Sequence, residues 1–235
     1  MVAYDPYSEE IMTDPYRIYE QLRNESPVHY IEEYDCWFLS RFETVWDAAN
    51  DSTHLRTMKG TTPGHLLTHD TPPSMSFNAY DPPEHTPMRA QIKQLFVPAG
   101  ARALRPTIEK LAKELLDEMI ERGEGDLVDE YGARIAVTGA CLAGGMPLSI
   151  RDQAIEWVNG VMHRRPGHKG GNDVGAQAGK EMFFWCLELT KEMRKNPEKA
   201  TGALHTMLTE PVNGKLLDDF VVASTLSLVM IGGSD

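Results

Sequence analysis

The sequence is short of cysteine and of positive charge, and each shortage excludes a class of protein. Its three cysteines, Cys36, Cys141 and Cys186, are too few and too far apart for a disulfide scaffold. They are typical of buried free thiols in a reducing compartment, so we expect a cytoplasmic protein. The chain carries 35 acidic and 23 basic residues, a net charge of −12. This charge disfavours nucleic acid and anionic membrane surfaces as partners.

Long apolar runs are also scarce. The N-terminus has neither a basic nor an apolar leader segment, so no signal peptide is expected. The longest apolar run, Phe220 to Gly233, is too short for a comfortable membrane span and predicts a core helix. A helix that is apolar on all sides needs burial on all sides. Because this run ends the sequence, we expect its cover to come from more of the same protein or from a second chain.

Apolar periodicity predicts a mainly α protein, a single body over residues 1–235. The clearest helix has apolar residues from Ile108 to Ile120 and ends at Gly123. The one convincing pair of strands is a small β-hairpin, Val28–Glu32 with Cys36–Ser40. Further helices are predicted at 43–49, 84–96, 128–142, 149–161, 176–194, 204–208 and 220–233, with Pro98 and Gly100 ending the second of them.

The densest group of chemically useful side chains lies between Asp81 and Arg89, in the stretch Asp-Pro-Pro-Glu-His-Thr-Pro-Met-Arg. On a helix, His85 and Arg89 are four residues apart and share one face. An imidazole beside a guanidinium suits an anionic carboxylate or phosphate, which arginine binds through two parallel hydrogen bonds. Spacing alone equally describes an ordinary helix start with a surface histidine and arginine, and short motifs favour that interpretation.

Three separated stretches together resemble the cytochrome P-450 family of the bacterial soluble type. The first is Phe77 to Arg89, followed by an apolar helix that ends in Phe96-Val-Pro. The second is Ala103-Leu-Arg-Pro-Thr-Ile-Glu, which is similar to the family's D helix. The third is Leu228 to Asp235, which is similar to the glycine-containing stretch of the family's I helix. The resemblance implies the N-terminal portion of the cytochrome P-450 fold, ending in the I helix.

The resemblance also implies a cofactor, partners and residue roles. The cofactor would be haem, with His85 and Arg89 holding its propionates. Gly232 and Gly233 would be the small positions beside the haem, and Asp235 would be the catalytic acid of proton delivery. The parent reaction would hydroxylate an apolar small molecule with dioxygen, using electrons from a ferredoxin-type or similar redox partner.

Two departures from the family pattern limit what this chain is expected to do. None of the three cysteines lies in the family's Phe-x-x-Gly-x-x-x-Cys setting, so the axial haem ligand is not found. Thiolate ligation favours cleavage of the O–O bond. We therefore expect the chain alone to be inactive. Pro87 also replaces the helix-compatible residue that the family usually has. It delays helical hydrogen bonding next to His85, so Arg89 is the safer of the two propionate assignments.

Two alternatives stay open. One is a truncated, non-catalytic helical protein that binds an apolar ligand or forms a homodimer through its exposed terminal helix. The other is a metal-dependent enzyme that uses His65 and His69, which are four residues apart with Asp70 adjacent. The flanking prolines and glycines favour a loop there, so we predict no metal site.

Overall fold

The computed structural model of the chain describes residues 2–62, 64, 76–168 and 172–234. Two compact units divide the chain. The first unit contains Met1–Pro73, Asn78–Pro82 and His163–Asn172, and the second contains Ser74–Phe77, Pro83–Met162 and Asp173–Asp235. The single body over residues 1–235 stays a prediction.

The first unit contains the predicted hairpin. Strands β1 (Val28–Ile31) and β2 (Cys36–Leu39) pair antiparallel and are joined by the 3₁₀ turn Glu32–Tyr34, after which Asp35 adopts a left-handed conformation. Its described α-helices are α1 (Glu9–Thr13), α2 (Tyr16–Glu25) and α3 (Phe42–Asn50). The unit has a small core rich in tyrosine, formed by Leu22, Ile31, Tyr4, Tyr7 and Tyr34.

The second unit is mainly helical in its described residues. Its α-helices are α4 (His85–Lys93), α5 (Pro98–Arg122), α6 (Ala133–Gly144), α7 (Arg151–Met162), α8 (Asp173–Lys195), α9 (Gly202–Thr209) and α10 (Asp219–Gly232). A π-helical turn, Leu127–Gly132, precedes α6. The predicted mainly α fold is thus confirmed.

The ends of α5 show one correct and one wrong prediction. The helix ends at Arg122, and Gly123 adopts the left-handed conformation that glycine accepts easily. Pro98 was predicted to end a helix, but it is the first residue of α5. A proline fits there because the first N–H groups of a helix have no intrahelical acceptor to bond.

Helix α10 lies in the core of the second unit. Eight of its 14 residues are buried, and Val222, Ala223, Leu226 and Met230 are fully inaccessible. It packs against α6, α8 and α9. The expectation of an exposed terminal helix is therefore wrong, because earlier helices of the same chain provide its cover. None of the described helices has an apolar stretch long enough to cross a membrane.

Two glycines let the end of α6 and the start of α9 touch through their backbones. Gly145 and Gly202 both have positive φ angles, 81° and 55°. A Cβ atom on Gly145 would lie 1.9 Å from the carbonyl oxygen of Thr201, and one on Gly202 would lie 2.5 Å from that of Ala143. Only glycine fits at either position.

Candidate functional site

An open cleft of about 770 Å³ lies within the second unit. Four helices contribute to its walls, namely α4, α5, α6 and α10, together with the connection between α4 and α5. Most of the lining side chains are aliphatic or small. Such a lining suits a flat apolar ligand, which gains from burial but needs few polar partners.

Small residues from α6 and α10 form one side of the cleft. Gly232 faces open space, since a Cβ atom there would meet no heavy atom within 4 Å. Gly233 is different, because its Cβ would lie 2.9 Å from the Cβ of Ala140. The first glycine therefore leaves room in the cleft, whereas the second permits close packing of α10 on α6.

The α4 side of the cleft is positively charged. Arg89 and Lys93, one helical turn apart, both line it, and no acidic side chain is among its described lining residues. Two cations beside an apolar cavity attract an anionic group on an otherwise apolar ligand. The protein as a whole is acidic, so the sign of the charge in the cleft is opposite to the net charge of the chain.

His85 lies apart from the lining residues, at the first position of α4. Its ring stacks on Phe77, with the ring centroids 6.1 Å apart and the planes at 27°. Phe77 itself lines the cleft. Of the predicted pair, Arg89 therefore lines the cleft directly. His85 does not line it, and contacts Phe77, which does.

Pro87 does not interrupt α4, which runs through it from His85. As the third residue of the helix, Pro87 lacks an N–H that would in any case have no intrahelical acceptor. The departure from the family pattern is therefore compatible with the helix that carries Arg89.

The structure brings together three of the predicted site residues, Arg89, Gly232 and Gly233, along one cleft. Asp235 lies outside the described residues, as do His65, His69 and Asp70. Among the residues that are described, no group of three histidine, cysteine or acidic side chains could hold a metal ion.

None of the three cysteines lines the cleft, and burial favours the neutral form of all three thiols. Burial raises the pKa of Cys141 to about 11 and that of Cys186 to about 12. Burial also raises the pKa of Cys36, which is only partly exposed. Because the thiolate is the form that binds metal, these environments oppose a role as metal ligand.

Two features of the lining were missed from the sequence. Lys93 follows Arg89 by four residues, so extending the His85–Arg89 spacing by one turn would have found it. The small residues of α6 that line the cleft recur at helical spacing, at Ala136, Gly139, Ala140 and Ala143. That pattern is also typical of plain helix packing, and only the structure shows that it faces a cavity.

Comparisons with known proteins identify relatives along the whole chain, although no family model matches it. The putative cytochrome P450 123 of Mycobacterium tuberculosis is 28% identical over all of this chain and 58% of its own length. Cytochrome P450 130 of the same organism is 34% identical over 96% of this chain and 57% of its own length. The 6-deoxyerythronolide B hydroxylase of Saccharopolyspora erythraea is 24% identical over 97% of this chain.

Solved structures show the same fold. A mutant of P450 EryK in complex with erythromycin B matches 97% of this chain and 56% of its own chain, with a TM-score of 0.78 and 20% sequence identity. The chain spans 56–59% of the length of these proteins. The match covers their N-terminal part, including the hairpin and the helices that form the cleft.

Proposed function

Because the chain belongs to the cytochrome P450 family and corresponds to the N-terminal part of its fold, we propose that it forms one side of the haem site of a monooxygenase. The observation that carries the proposal is the single cleft shared by Arg89, Gly232 and Gly233. The whole protein would hydroxylate an apolar small molecule, using dioxygen and electrons from a redox partner.

The lining residues fit haem in both apolar character and charge. Haem is a flat apolar ring with two carboxylates on one edge, and the cleft combines small aliphatic walls with two cations on one side. Arg89 would bind a propionate through its guanidinium, with Lys93 as a second positive charge. His85 would bind the other propionate, with its ring oriented by Phe77.

Gly232 and Gly233 would keep α10 close to the haem face without a side chain between them. The open space at Gly232 supports this role. Asp235 would deliver protons. When bound, haem supplies the iron at which dioxygen is activated, and thiolate ligation favours the cleavage of its O–O bond.

We further propose that the iron ligand is not Cys36, Cys141 or Cys186. None lines the cleft, and in each case burial raises the pKa. The chain would then bind haem through its propionates and apolar ring alone, and would be inactive as a monooxygenase without a thiolate from another segment.

The substrate and partner proposals rest on the relatives. One relative is named as a hydroxylase of 6-deoxyerythronolide B, and one neighbour holds erythromycin B. These names and the aliphatic lining support an apolar small-molecule substrate. A ferredoxin-type or similar redox partner and a cytoplasmic location remain part of the proposal.

The alternative function is a non-catalytic protein that binds an apolar ligand in the same cleft. The aliphatic lining favours it as much as it favours haem, whereas Arg89 and Lys93 favour an anionic cofactor. The related proposal of a homodimer through Asp219–Gly232 loses its motivation, because most of that helix is buried within the chain.

Haem titration of the purified chain, followed by absorbance, tests the proposal. We expect saturable binding that Arg89→Leu weakens about ten- to hundredfold, since a hydrogen bond to a charged group contributes roughly 1.5–3 kcal/mol. Arg102→Leu is the control, because Arg102 is exposed on α5 and does not line the cleft. Equal losses in both variants would contradict a specific propionate site.

The reduced, carbon monoxide-bound spectrum separates the two roles of the chain. We expect no thiolate-type Soret band from this chain alone. Such a band would show that one of the three cysteines is a ligand after all, and single serine variants would identify which. A chain that takes up no haem would leave the apolar-ligand function.

A further inference from the structure

Helix α4 has little of its own to fix its position. It has nine residues, no side-chain hydrogen bond at its N-terminus and only two buried residues, Met88 and Ile92. Helices this short are unstable in isolation. The direction in which Arg89 points therefore depends on the contacts that α4 makes with other helices, and its most extensive helix contact is with α9.

Gln91 supplies the polar part of that contact. Its Nε2 donates to the carbonyl oxygen of Glu210 at 2.6 Å and approaches that of Thr206 at 3.5 Å. Glu210 directly follows α9, where the carbonyl groups at a helix end have no intrahelical donor, whereas the Thr206 carbonyl already accepts from the N–H of Glu210. Gln91 thus caps α9 from a position 119 residues earlier in the chain.

The Gln91 amide is left with an unsatisfied oxygen by this arrangement. Its Oε1 is buried, and no hydrogen-bond partner for it is found among the described residues. Turning the amide over would not help, because Oε1 would then face two carbonyl oxygens. An apolar side chain of similar length would avoid the buried oxygen, so packing stability alone does not account for glutamine here.

Gln91 and Arg89 act on opposite sides of the same helix. Residues two apart lie about 200° apart around a helix with 3.6 residues per turn. Accordingly, Arg89 lines the cleft while Gln91 bonds to α9. The hydrogen bond from Gln91 restricts rotation of α4 about its axis, and it therefore also restricts the direction in which Arg89 points.

We propose that Gln91 is a positioning residue, which holds the rotation of α4 so that Arg89 faces the anionic end of the bound cofactor. This inference rests on the proposed haem site. It assigns a role in cofactor affinity to a residue that need not touch the cofactor.

The first test is Gln91→Met, with Gln94→Met as the matched control. Gln94 is exposed and follows α4 directly. We expect Gln91→Met to leave the urea midpoint of global unfolding nearly unchanged, because it removes one hydrogen bond and one unsatisfied oxygen together. Haem binding should weaken about three- to tenfold, the equivalent of one hydrogen bond. Amide hydrogens of α4 should exchange faster by a similar factor.

The second test is Gln91→Glu, which replaces the donor with a carboxylate that faces two carbonyl oxygens beside Glu210. At pH 7 the repulsion should lower the exchange protection of α4 below that of Gln91→Met. Protonation of the introduced carboxyl restores a donor, so protection should recover as the pH falls. The same repulsion raises the pKa of this carboxyl, so recovery should begin above the ordinary value for glutamate, about 4.3.

Each outcome decides the proposal. Unchanged haem affinity and α4 exchange in Gln91→Met, or equal changes in Gln94→Met, would overturn it. So would full protection of α4 in Gln91→Glu at pH 7. If the unmodified chain takes up no haem, the proposed function fails, and the positioning role is then decided by hydrogen exchange in α4 alone.

Discussion

The two helices that contribute the candidate haem contacts are held in opposite ways. Helix α10 has eight buried residues, and Asp218 caps its start by accepting from the N–H of Val221 at 2.9 Å. Helix α4 has two buried residues and no such cap. The helix that carries the glycine side of the cleft is therefore part of the core, whereas the helix that carries the cationic side depends on a few contacts. Changes in α10 should report on folding, and changes in α4 on binding.

The largest expected effect tests whether α10 is core. Leu226 is fully buried, so Leu226→Ala should reduce the free energy of unfolding by about 2–5 kcal/mol, as large-to-small core changes do. Leu216→Ala, at a half-exposed position just before the helix, is the control and should cost far less. Urea denaturation measures both. Similar small losses in the two variants would remove the contrast between the helices.

The next effect concerns the start of α10. Arg194, near the end of α8, donates from Nε to the Asp219 carboxylate and from Nη2 to the carbonyl oxygen of Leu217 at 2.7 Å. Both charged side chains are partly buried, each 29% exposed. Arg194→Met should cost about 1–3 kcal/mol, because it leaves a partly buried carboxylate unpaired. Lys195→Met, one residue on and exposed, should be nearly neutral by urea denaturation.

A smaller effect separates the two glycines at the end of α10. Gly233→Ala should destabilise by about 1–3 kcal/mol, because its Cβ would press on Ala140. Gly232→Ala should leave stability unchanged or raise it by up to about 1 kcal/mol, since alanine favours helix and space is available. The same variant should weaken haem binding by occupying the cleft. If Gly232→Ala left haem affinity unaltered, that glycine would not face the ligand.

The smallest effect concerns the segment that precedes α4 in sequence. Asp81 accepts hydrogen bonds from the N–H of Thr57 at 2.9 Å, its hydroxyl at 3.0 Å and the N–H of Met58 at 3.3 Å. Bonding to Thr57 lowers the pKa of this carboxyl below its ordinary 3.8. The stabilisation that the Asp81 carboxylate provides is therefore complete above pH 3.8 and is lost as the pH falls through the lowered pKa.

Hydrogen exchange at the Thr57 amide measures this contribution. Protection should persist from pH 7 to about 4 and fall below that, and Asp81→Asn should reduce it most above about pH 4, where the carboxylate is present. Asp51→Asn is the matched control, because Asp51 accepts two backbone N–H bonds from residues no more than three positions away. If Asp51→Asn lowered Thr57 protection equally, Asp81 would have no special role.

Helix α10 shows which features of the fold could be predicted from the sequence and which could not. Its apolar composition correctly predicted a buried helix, because burial on all faces is a local property of the side chains. Which segments pack against the helix depends on tertiary contacts, and the expectation that α10 would be exposed was wrong. The same holds for Pro98, where proline is compatible with both a helix end and a helix start, and the neighbouring fold decides between them.

Some residues of the candidate site could likewise be predicted from the sequence, and others could not. Spacing and resemblance identified Arg89, Gly232 and Gly233, which line one cleft, and Pro87 was the sequence feature that favoured Arg89 over His85. Gln91 could not be found, since its acceptors lie in α9, more than 100 residues later in the chain. Side chains that act through tertiary contacts leave no periodic pattern in the sequence.

The contact between Gly145 and Gly202 has a consequence for how this fold can diverge. Each glycine is required by a backbone atom of the other segment, and not by a side chain that could shrink in compensation. A change at one position therefore cannot be offset by a change at the other. Among homologues that keep the α6–α9 junction, the two positions should stay glycine together while the cleft around them varies to suit other ligands.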